Sequence, residues 1–516
     1  MTATPREAPS TGGATPSPSR ADWARARRLA VRWAPLIPVA VTLAVTLTGI
    51  RRPSLWLDEA ATISLTTRSA GDMFRVFDHL DIVHALYYLA MRPWVLLFGT
   101  GELAMRLPSA LAMAAAAGGI AVIGRRCLGT AAGLLGGLAF AASVPVTRFA
   151  QEARSYAMVT AVAVLATYLL VRAVADGERA PWRWLAGYAP VVIVLGLLNL
   201  NAVLLVAAHG VTLLAVRTRR GIRVRWLVSL ALAAAPLVPF VLAAQDQKFQ
   251  VAWLPQPSWS TLWVLAQFMA GGRWAVASLL ALAAVGVAAG LRARGTASLA
   301  AVALPWFVVP PALMLVMSVV SDPIFMYRYT VFCVPGAALL AGAGLARLAA
   351  LRRRSVGSAA LAVAAAALVV PALPGHVHAR RQDSRPDDTR AAADIVRAHA
   401  RPGDAIVYLA GAVRWSASAY PDVFGRLRDI DAREDPVAAA NLKGRDLYPR
   451  QLRPKLARVR RVWVMNHRAL DPHEPIIDRR EQAVQAAGPW RTVGSWTFRG
   501  GWLVLYERTG PYRRSR

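Results

Sequence analysis

Arg51-Arg52-Pro53-Ser54-Leu55-Trp56-Leu57-Asp58-Glu59-Ala60 follows directly on the first long hydrophobic run of the chain and carries two adjacent carboxylates. At a membrane–water boundary such a pair is costly unless it performs chemistry or meets a cation. Composition places it at such a boundary. Hydrophobic residues make up 56% of the 516 positions, and several runs approach or exceed the roughly 20 residues needed to cross a hydrocarbon core. Charge is sparse inside those runs and concentrated between them. The net charge of +31 would suit nucleic-acid binding, but the arginines mostly flank apolar spans, so the positive-inside rule accounts for them. Lysine occurs only at Lys248, Lys443 and Lys455, a bias of the kind a GC-rich genome produces. Cys127 and Cys333 each fall near a span end and give no disulfide framework.

Residues 1–20 are rich in Pro, Ser, Thr and Gly with no apolar period, which reads as a disordered cytoplasmic tail. Arg20, Arg25, Arg27, Arg28 and Arg32 then precede a first span at about 33–50. A cleavable signal peptide also has a basic start and an apolar middle, but the long leader favours an uncleaved signal-anchor. Further spans fall near 103–123, 128–147, 154–174, 184–198, 201–216, 225–244, 274–291, 297–320, 326–350 and 356–373. With the N-terminus inside, five basic loops share the cytoplasmic face: Arg125-Arg126, Arg179 with Arg183, Arg217 to Arg225, Arg292 with Arg294, and Arg352-Arg353-Arg354. This requires that 84–98, which holds Arg92 and Pro93, lies at the outer interface; 259–272 can do the same.

The expected fold is therefore mainly α: a plasma-membrane helical bundle of about eleven spans over 33–373, with a tail over 1–32 and a long external loop over 51–102. From about Pro374 charge becomes frequent, and 374–516 reads as a small soluble α/β domain on the outer face. In it 391–400 and 481–487 read as helices, 405–409 and 461–465 as strands, and 490–498 with 501–507 as a closing hairpin. No nucleophile elbow, phosphate loop or metal-ligand spacing occurs there.

Three polar clusters collect on the external side. In the first loop, Asp72, Asp78-His79, Asp81, His84 and Leu86-Tyr87-Tyr88 follow Asp58-Glu59. Carboxylates there have three uses: general base on an acceptor hydroxyl, ligand of a divalent cation, or orienter of the acceptor. Asp72 and Asp78 read as ordinary surface charges, whereas Asp58, wedged between Leu57 and an apolar run, reads as functional. The second cluster is Arg148-Phe149-Ala150-Gln151-Glu152-Ala153-Arg154-Ser155-Tyr156, denser than interfacial anchoring requires. The third, Asp322-Pro323-Ile324-Phe325-Met326-Tyr327-Arg328-Tyr329, suits either a phosphate held by guanidinium and phenols or an aromatic belt with one snorkelling arginine. Asn199 and Asn201 fit a sugar site or a polar turn, and His209, on an apolar helix, reads as a packed residue rather than a ligand.

Across roughly 50–335 these motifs resemble the GT-C superfamily of membrane glycosyltransferases, in particular the family 39-like group of protein O-mannosyltransferases and lipid A aminoarabinose transferases. The resemblance is carried by Leu57-Asp58-Glu59, Asp81-Ile82-Val83-His84-Ala85-Leu86-Tyr87-Tyr88, Arg106-Leu107-Pro108-Ser109-Ala110, Gln151-Glu152-Ala153-Arg154-Ser155-Tyr156-Ala157 and Arg328-Tyr329. The family commonly has His-Pro-Pro-Leu-Tyr-Tyr in the second of these; here Ala85 replaces both prolines.

The resemblance implies an inverting transferase that takes a sugar, mannose-like or pentose, from a polyprenyl-phosphate donor at the outer leaflet. Asp58, with Glu59 beside it, would be catalytic, Asp58 as the base on the acceptor hydroxyl. Asp81 and His84 would position the acceptor or assist a divalent cation, and Arg154, Tyr156, Arg328 and Tyr329 would bind the donor phosphate. The partners implied are the lipid-linked donor, membrane lipid and an acceptor protein, lipid or cell-wall glycan, with no nucleic acid and no cofactor beyond that cation. The competing class is a transporter or flippase for a lipid-linked sugar. Against it, no paired repeat is visible and the acidic residues sit in a loop rather than at mid-span.

Overall fold

The computed structural model describes residues 31–177, 181–292, 298–467 and 475–510, with Arg25 and Leu29. The expected tail over 1–20, together with Arg20, Arg27, Arg28, Arg179 and Arg294, lies outside the described residues.

Among the described residues seven helices are long and apolar enough to cross a membrane: Glu102–Leu128, Tyr156–Asp176, Arg220–Gln245, Arg273–Leu291, Leu299–Val320, Tyr327–Ala349 and Arg354–Ala379. The pair Thr130–Ala141 and Val144–Ala150, bent by 60°, makes an eighth. Three of the eleven expected spans correspond to shorter apolar helices, Val31–Leu47, Trp182–Leu198 and Leu200–Ala215, so the count of eleven depends on those three. The protein is a multi-pass membrane protein in which the segment expected at the interface, Ala85–Phe98, is a separate helix carrying Pro93.

The bend between Thr130–Ala141 and Val144–Ala150 has a local cause. Pro145 in the first turn after Ser143 cannot donate back to the preceding helix. His376, on the last span, staples the break. Its Nε2 lies 2.9 Å from the Ala142 carbonyl and its Nδ1 3.0 Å from Thr147 Oγ1, so Nε2 donates and Nδ1 accepts. Beyond the bend Gln151 donates to the Thr46 and Thr48 carbonyls, and the Ala153 carbonyl accepts from Thr62 of the first loop.

Within the bundle the helix Val334–Ala349 is central, and the candidate span containing it has 83% of its apolar window buried. Small residues let its neighbours close on it, as membrane helices without a hydrophobic driving force between them require. A Cβ at Gly342 would sit 2.2 Å from Gly136 N, and one at Gly344 2.3 Å from the Leu282 carbonyl.

Beyond the last span, seven strands among the described residues form two sheets: β1 (Ala405–Tyr408), β2 (Arg428–Asp429), β3 (Ala432–Glu434), β4 (Arg445–Asp446), β5 (Arg461–His467), β6 (Trp490–Phe498) and β7 (Gly501–Arg508). The main sheet runs β2-β1-β5-β7-β6, parallel among the first three and antiparallel thereafter. β1 and β5 are buried throughout, as central parallel strands should be. The β6–β7 hairpin turns at Arg499-Gly500, where Gly500 has φ +93°. The helix expected over 481–487 begins earlier, spanning Pro475–Gln485. This domain packs on the first loop, with Trp415–Ala419 against the helix Leu57–Thr66. Arg68 donates to the carbonyls of Pro436 and Asn441. The first loop and the C-terminal domain therefore share one side of the bundle.

Candidate active site

The acidic pair opens the helix Leu57–Thr66, entered from an extended Trp56. Adjacent residues on a helix point about 100° apart, and this splits the pair. Glu59 turns inward and is fully buried. Arg106 grips it with Nε at 2.8 Å from Oε1 and Nη2 at 2.7 Å from Oε2, and Ala153 N donates to Oε1 at 2.9 Å. Burial pushes the Glu59 carboxyl up, but the Arg106 charge and its two bonds pull it further down, below the usual carboxylate value. Arg106 is itself satisfied, donating to the carbonyls of Ile50, Pro53 and Ser54.

Asp58 turns the other way and keeps 28% of its side chain exposed. Two guanidiniums face it: Arg328 Nη1 at 3.6 Å and Arg154 Nε at 3.9 Å. Arg328 also stands 5.9 Å from the Trp56 ring and 5.7 Å from the Tyr329 ring. Arg154 is the hub of the inner side. Its Nη1 donates to Tyr88 Oη at 2.9 Å and its Nη2 to His84 Nε2 at 2.8 Å. Tyr88 in turn donates to Asp81 Oδ2 at 2.9 Å. Burial pushes the Asp81 carboxyl up, partly offset by Arg154. Burial and the Arg154 charge hold His84 well below the ordinary imidazole value, so it is the neutral acceptor. Asp81 takes a left-handed conformation, φ 60°, which aspartate tolerates better than most residues.

Next to Asp58 lies a cavity of about 300 Å³, lined among others by Trp56, Arg148, Glu152, Phe268, Tyr327 and Arg328. Aromatic walls with a few charged groups are the usual make-up of a small-ligand site. Glu152 is buried and held by Arg148 at 2.5 Å and Arg385 at 3.9 Å.

Residues 85–243 match the dolichyl-phosphate-mannose-protein mannosyltransferase family. No curated protein matches the chain in sequence. Among solved structures, ArnT from Cupriavidus metallidurans bound to undecaprenyl phosphate is similar over 91% of this chain and 97% of its own, with 14% identity and a TM-score of 0.56. The Archaeoglobus fulgidus oligosaccharyltransferase, in its complex with zinc and sulfate, is similar over 89% and 71%, with 10% identity and a TM-score of 0.54. The same organism's AglB, in complex with an inhibitory peptide and a dolichol phosphate, gives 9% identity over 95% and 75%, and a TM-score of 0.53. The chain has the GT-C fold.

Within this fold, Asp58, Arg154, Tyr156, Arg328 and Tyr329 gather in one cluster, with Tyr156 and Tyr329 ring centroids 6.4 Å apart. Asp81 and His84 join it through Tyr88 and Arg154. Glu59, expected beside Asp58 in the chemistry, is instead turned into the bundle and locked by Arg106. Asp72 is a helix-cap partner of Ser69 and Arg75, and Asp322 pairs with Lys248 at the surface. Asn199 caps Asn201 N as a polar turn. His209 is buried between Thr167 and Tyr188.

Trp56, Arg148 and Arg385 were not singled out as site residues in the sequence. Trp56 and Arg148 sat inside motifs read for their neighbours. Arg385 carried no signal, since only the return of the chain after the last span brings it to Glu152. Among the described residues no three His, Cys, Asp or Glu side chains converge as ligands. Glu59 is consumed by Arg106 and His84 Nε2 by Arg154, so these donors as arranged do not fit a divalent cation.

Proposed function

We propose that the protein is an inverting glycosyltransferase that moves a sugar, mannose-like or pentose, from a polyprenyl-phosphate carrier to an acceptor hydroxyl at the outer face of the plasma membrane. Asp58 is the general base. It takes the acceptor proton as the hydroxyl oxygen attacks the anomeric carbon and the bond to the phosphate oxygen breaks, releasing polyprenyl phosphate. Arg328, with Tyr329, meets the charge that builds on the leaving phosphate, and Arg154 supports the same side. Glu59 holds the helix rather than reacting. The acceptor is a protein, lipid or cell-wall glycan.

One observation carries this reading: Asp58 is a half-buried carboxylate with two guanidiniums within 4 Å of it. A base and an anion-binding group beside one cavity support attack by a hydroxyl with a phosphate as the leaving group. Of the similar structures, one is bound to undecaprenyl phosphate and another is in complex with a dolichol phosphate, which supports a lipid-linked phosphate as donor. The Arg-rich loops on the opposite side support the outer placement.

The test is sugar transfer in membranes holding the wild type or Asp58→Asn at equal level, supplied with a panel of radiolabelled polyprenyl-phosphate sugars. A lost general base lowers the rate by about 10²- to 10⁴-fold, and the isosteric change leaves insertion intact. Undiminished transfer by the variant removes Asp58 as base, and no transfer by the wild type from any donor removes the reading.

A further inference from the structure

Residues 382–390 connect the last span to the C-terminal domain, and they do more than connect. On one side they hold the strand of chain that leads to Asp58. Gln382 O accepts from Ser54 N at 3.0 Å, Thr389 Oγ1 donates to the Leu55 carbonyl at 2.5 Å, and Arg390 N donates to Ser54 Oγ at 2.9 Å. The Arg390 guanidinium donates to the Arg51 carbonyl at 2.7 Å and the Arg52 carbonyl at 2.9 Å. Asp387 Oδ2 accepts from Leu57 N at 3.2 Å, one peptide before Asp58. A carboxylate at this helix N-terminus satisfies an otherwise orphaned N–H and complements the helix dipole.

On the other side the same segment is held by the domain's sheet. Asp387 Oδ1 meets His467 Nε2, at the end of β5, at 2.5 Å. Asp388 N donates to the Arg499 carbonyl at 2.8 Å in the β6–β7 turn. Gly500 stands so close that a Cβ there would lie 2.7 Å from Asp387 Oδ1. Asp387 is 2% exposed, so both contacts are made away from water, and Pro386 beside it lines the cavity.

We infer that residues 382–390 are a strap through which the C-terminal domain fixes the position of Asp58, with Asp387 as its positioning residue. This rests on Asp58 being the base. The strap touches neither donor nor acceptor through Asp387; it acts through the first turn of the helix. Misplacing a base by about 1 Å costs up to about 100-fold in rate while leaving binding of the remote phosphate intact. The domain is then a working part of the catalytic geometry.

The experiment compares full-length wild type, Asp387→Ala and Asp387→Asn, purified in detergent. It reads hydrogen exchange in peptides covering 55–62, kcat and donor KM, and binding of polyprenyl phosphate alone. Asp387→Ala should exchange roughly fivefold faster in the first helical turn and lose about 10- to 100-fold in kcat. Donor KM and polyprenyl phosphate binding should stay within about twofold. Asp387→Asn, which keeps an acceptor for Leu57 N–H, should recover most of both losses. Unchanged exchange and kcat in Asp387→Ala overturn the inference, as do equal losses in both variants accompanied by weakened polyprenyl phosphate binding. Wild type without transfer would defeat the reading of Asp58, while the exchange comparison would still decide the strap.

Discussion

Removing Arg106 should unfold the first loop before it touches the chemistry. Arg106 and Glu59 are both fully buried, joined by two bonds of 2.7 and 2.8 Å. Arg106→Met leaves the Glu59 carboxylate with Ala153 N as its hydrogen-bond partner and takes a donor from the carbonyls of Ile50, Pro53 and Ser54, of which Pro53 keeps Arg390. Breaking one side of a buried pair costs about 3–5 kcal/mol because the remaining charge is uncompensated. Typical total stability is about 5–15 kcal/mol, so the loss is a large share of it. At about 2 °C per kcal/mol for a sizeable domain, the melting temperature falls by on the order of 5–10 °C. The paired change Glu59→Leu with Arg106→Met removes both charges and should recover much of that loss.

The pH dependence has a definite sign. The folded Glu59 carboxyl lies below its unfolded value of roughly 4.3, so its contribution is present above that value and lost as pH falls through the folded one. In the variant burial acts without Arg106 and raises the Glu59 carboxyl, so the deficit should shrink as pH falls and that carboxyl takes up its proton. Thermal unfolding followed by size-exclusion fluorescence, with a double-mutant cycle, measures all of this. A cost for Arg106→Met below about 1 kcal/mol, or a double variant whose loss is the sum of the singles, would refute the reasoning.

Two further outcomes are expected. Arg328→Gln should lower kcat by about 10²- to 10³-fold, as loss of a group that meets developing charge does, and Arg328→Lys should restore only part because the bidentate fork is gone; equal activity of Lys and Arg in initial-rate assays would count against phosphate contact. His84, held neutral by burial and Arg154, has a depressed folded pKa, so its stabilising contribution is present above about 6.5 and fades as pH falls below it. Melting temperature should drop between pH 7 and 5 in the wild type and less in His84→Gln, which keeps an acceptor for Arg154; parallel curves would show that His84 does not titrate as described.

The bundle was legible because apolar length and flanking arginine are direct consequences of the bilayer as solvent. The exception is instructive: Trp182–Leu198 and Leu200–Ala215 are short, and whether such helices cross depends on neighbours that composition does not encode. The hairpin over 490–507 was legible from alternation about Arg499-Gly500, whereas the start of Pro475–Gln485 was not, since polar residues there carry no period. At the site, Asp58, Arg154 and Arg328 could be read as charges out of place in apolar surroundings. The different fate of Glu59 could not. Its carboxylate looks equally out of place until the fold supplies Arg106, 47 positions away. Asp387 and Arg385 were invisible for the same reason, being ordinary residues of a polar segment until the chain returns across more than 230 positions to Gln151 and 330 to Leu57.

Charge bookkeeping around the cavity ties these residues into one mechanism. Arg148, Arg154, Arg328 and Arg385 face Asp58, Asp81 and Glu152, so with all three carboxylates ionised the site carries one positive charge in excess. A polyprenyl phosphodiester donor brings one negative charge and makes the complex neutral. Transfer converts it to a phosphomonoester approaching two negative charges at neutral pH, which alone would leave the site over-negative in surroundings where uncompensated charge is expensive. The proton that Asp58 takes from the acceptor removes one carboxylate charge at the same moment. On the proposed mechanism base and leaving group are thus electrostatically coupled: each makes the other's change affordable, and Arg328, 3.6 Å from Asp58, is the group both share. Replacing Arg328 by a neutral residue unbalances the donor complex and the product complex alike, whereas Asp58→Asn neutralises the base in advance and favours the bound product. Polyprenyl phosphate should accordingly bind more tightly to Asp58→Asn than to the wild type and more weakly to Arg328→Gln; the opposite order would break the coupling.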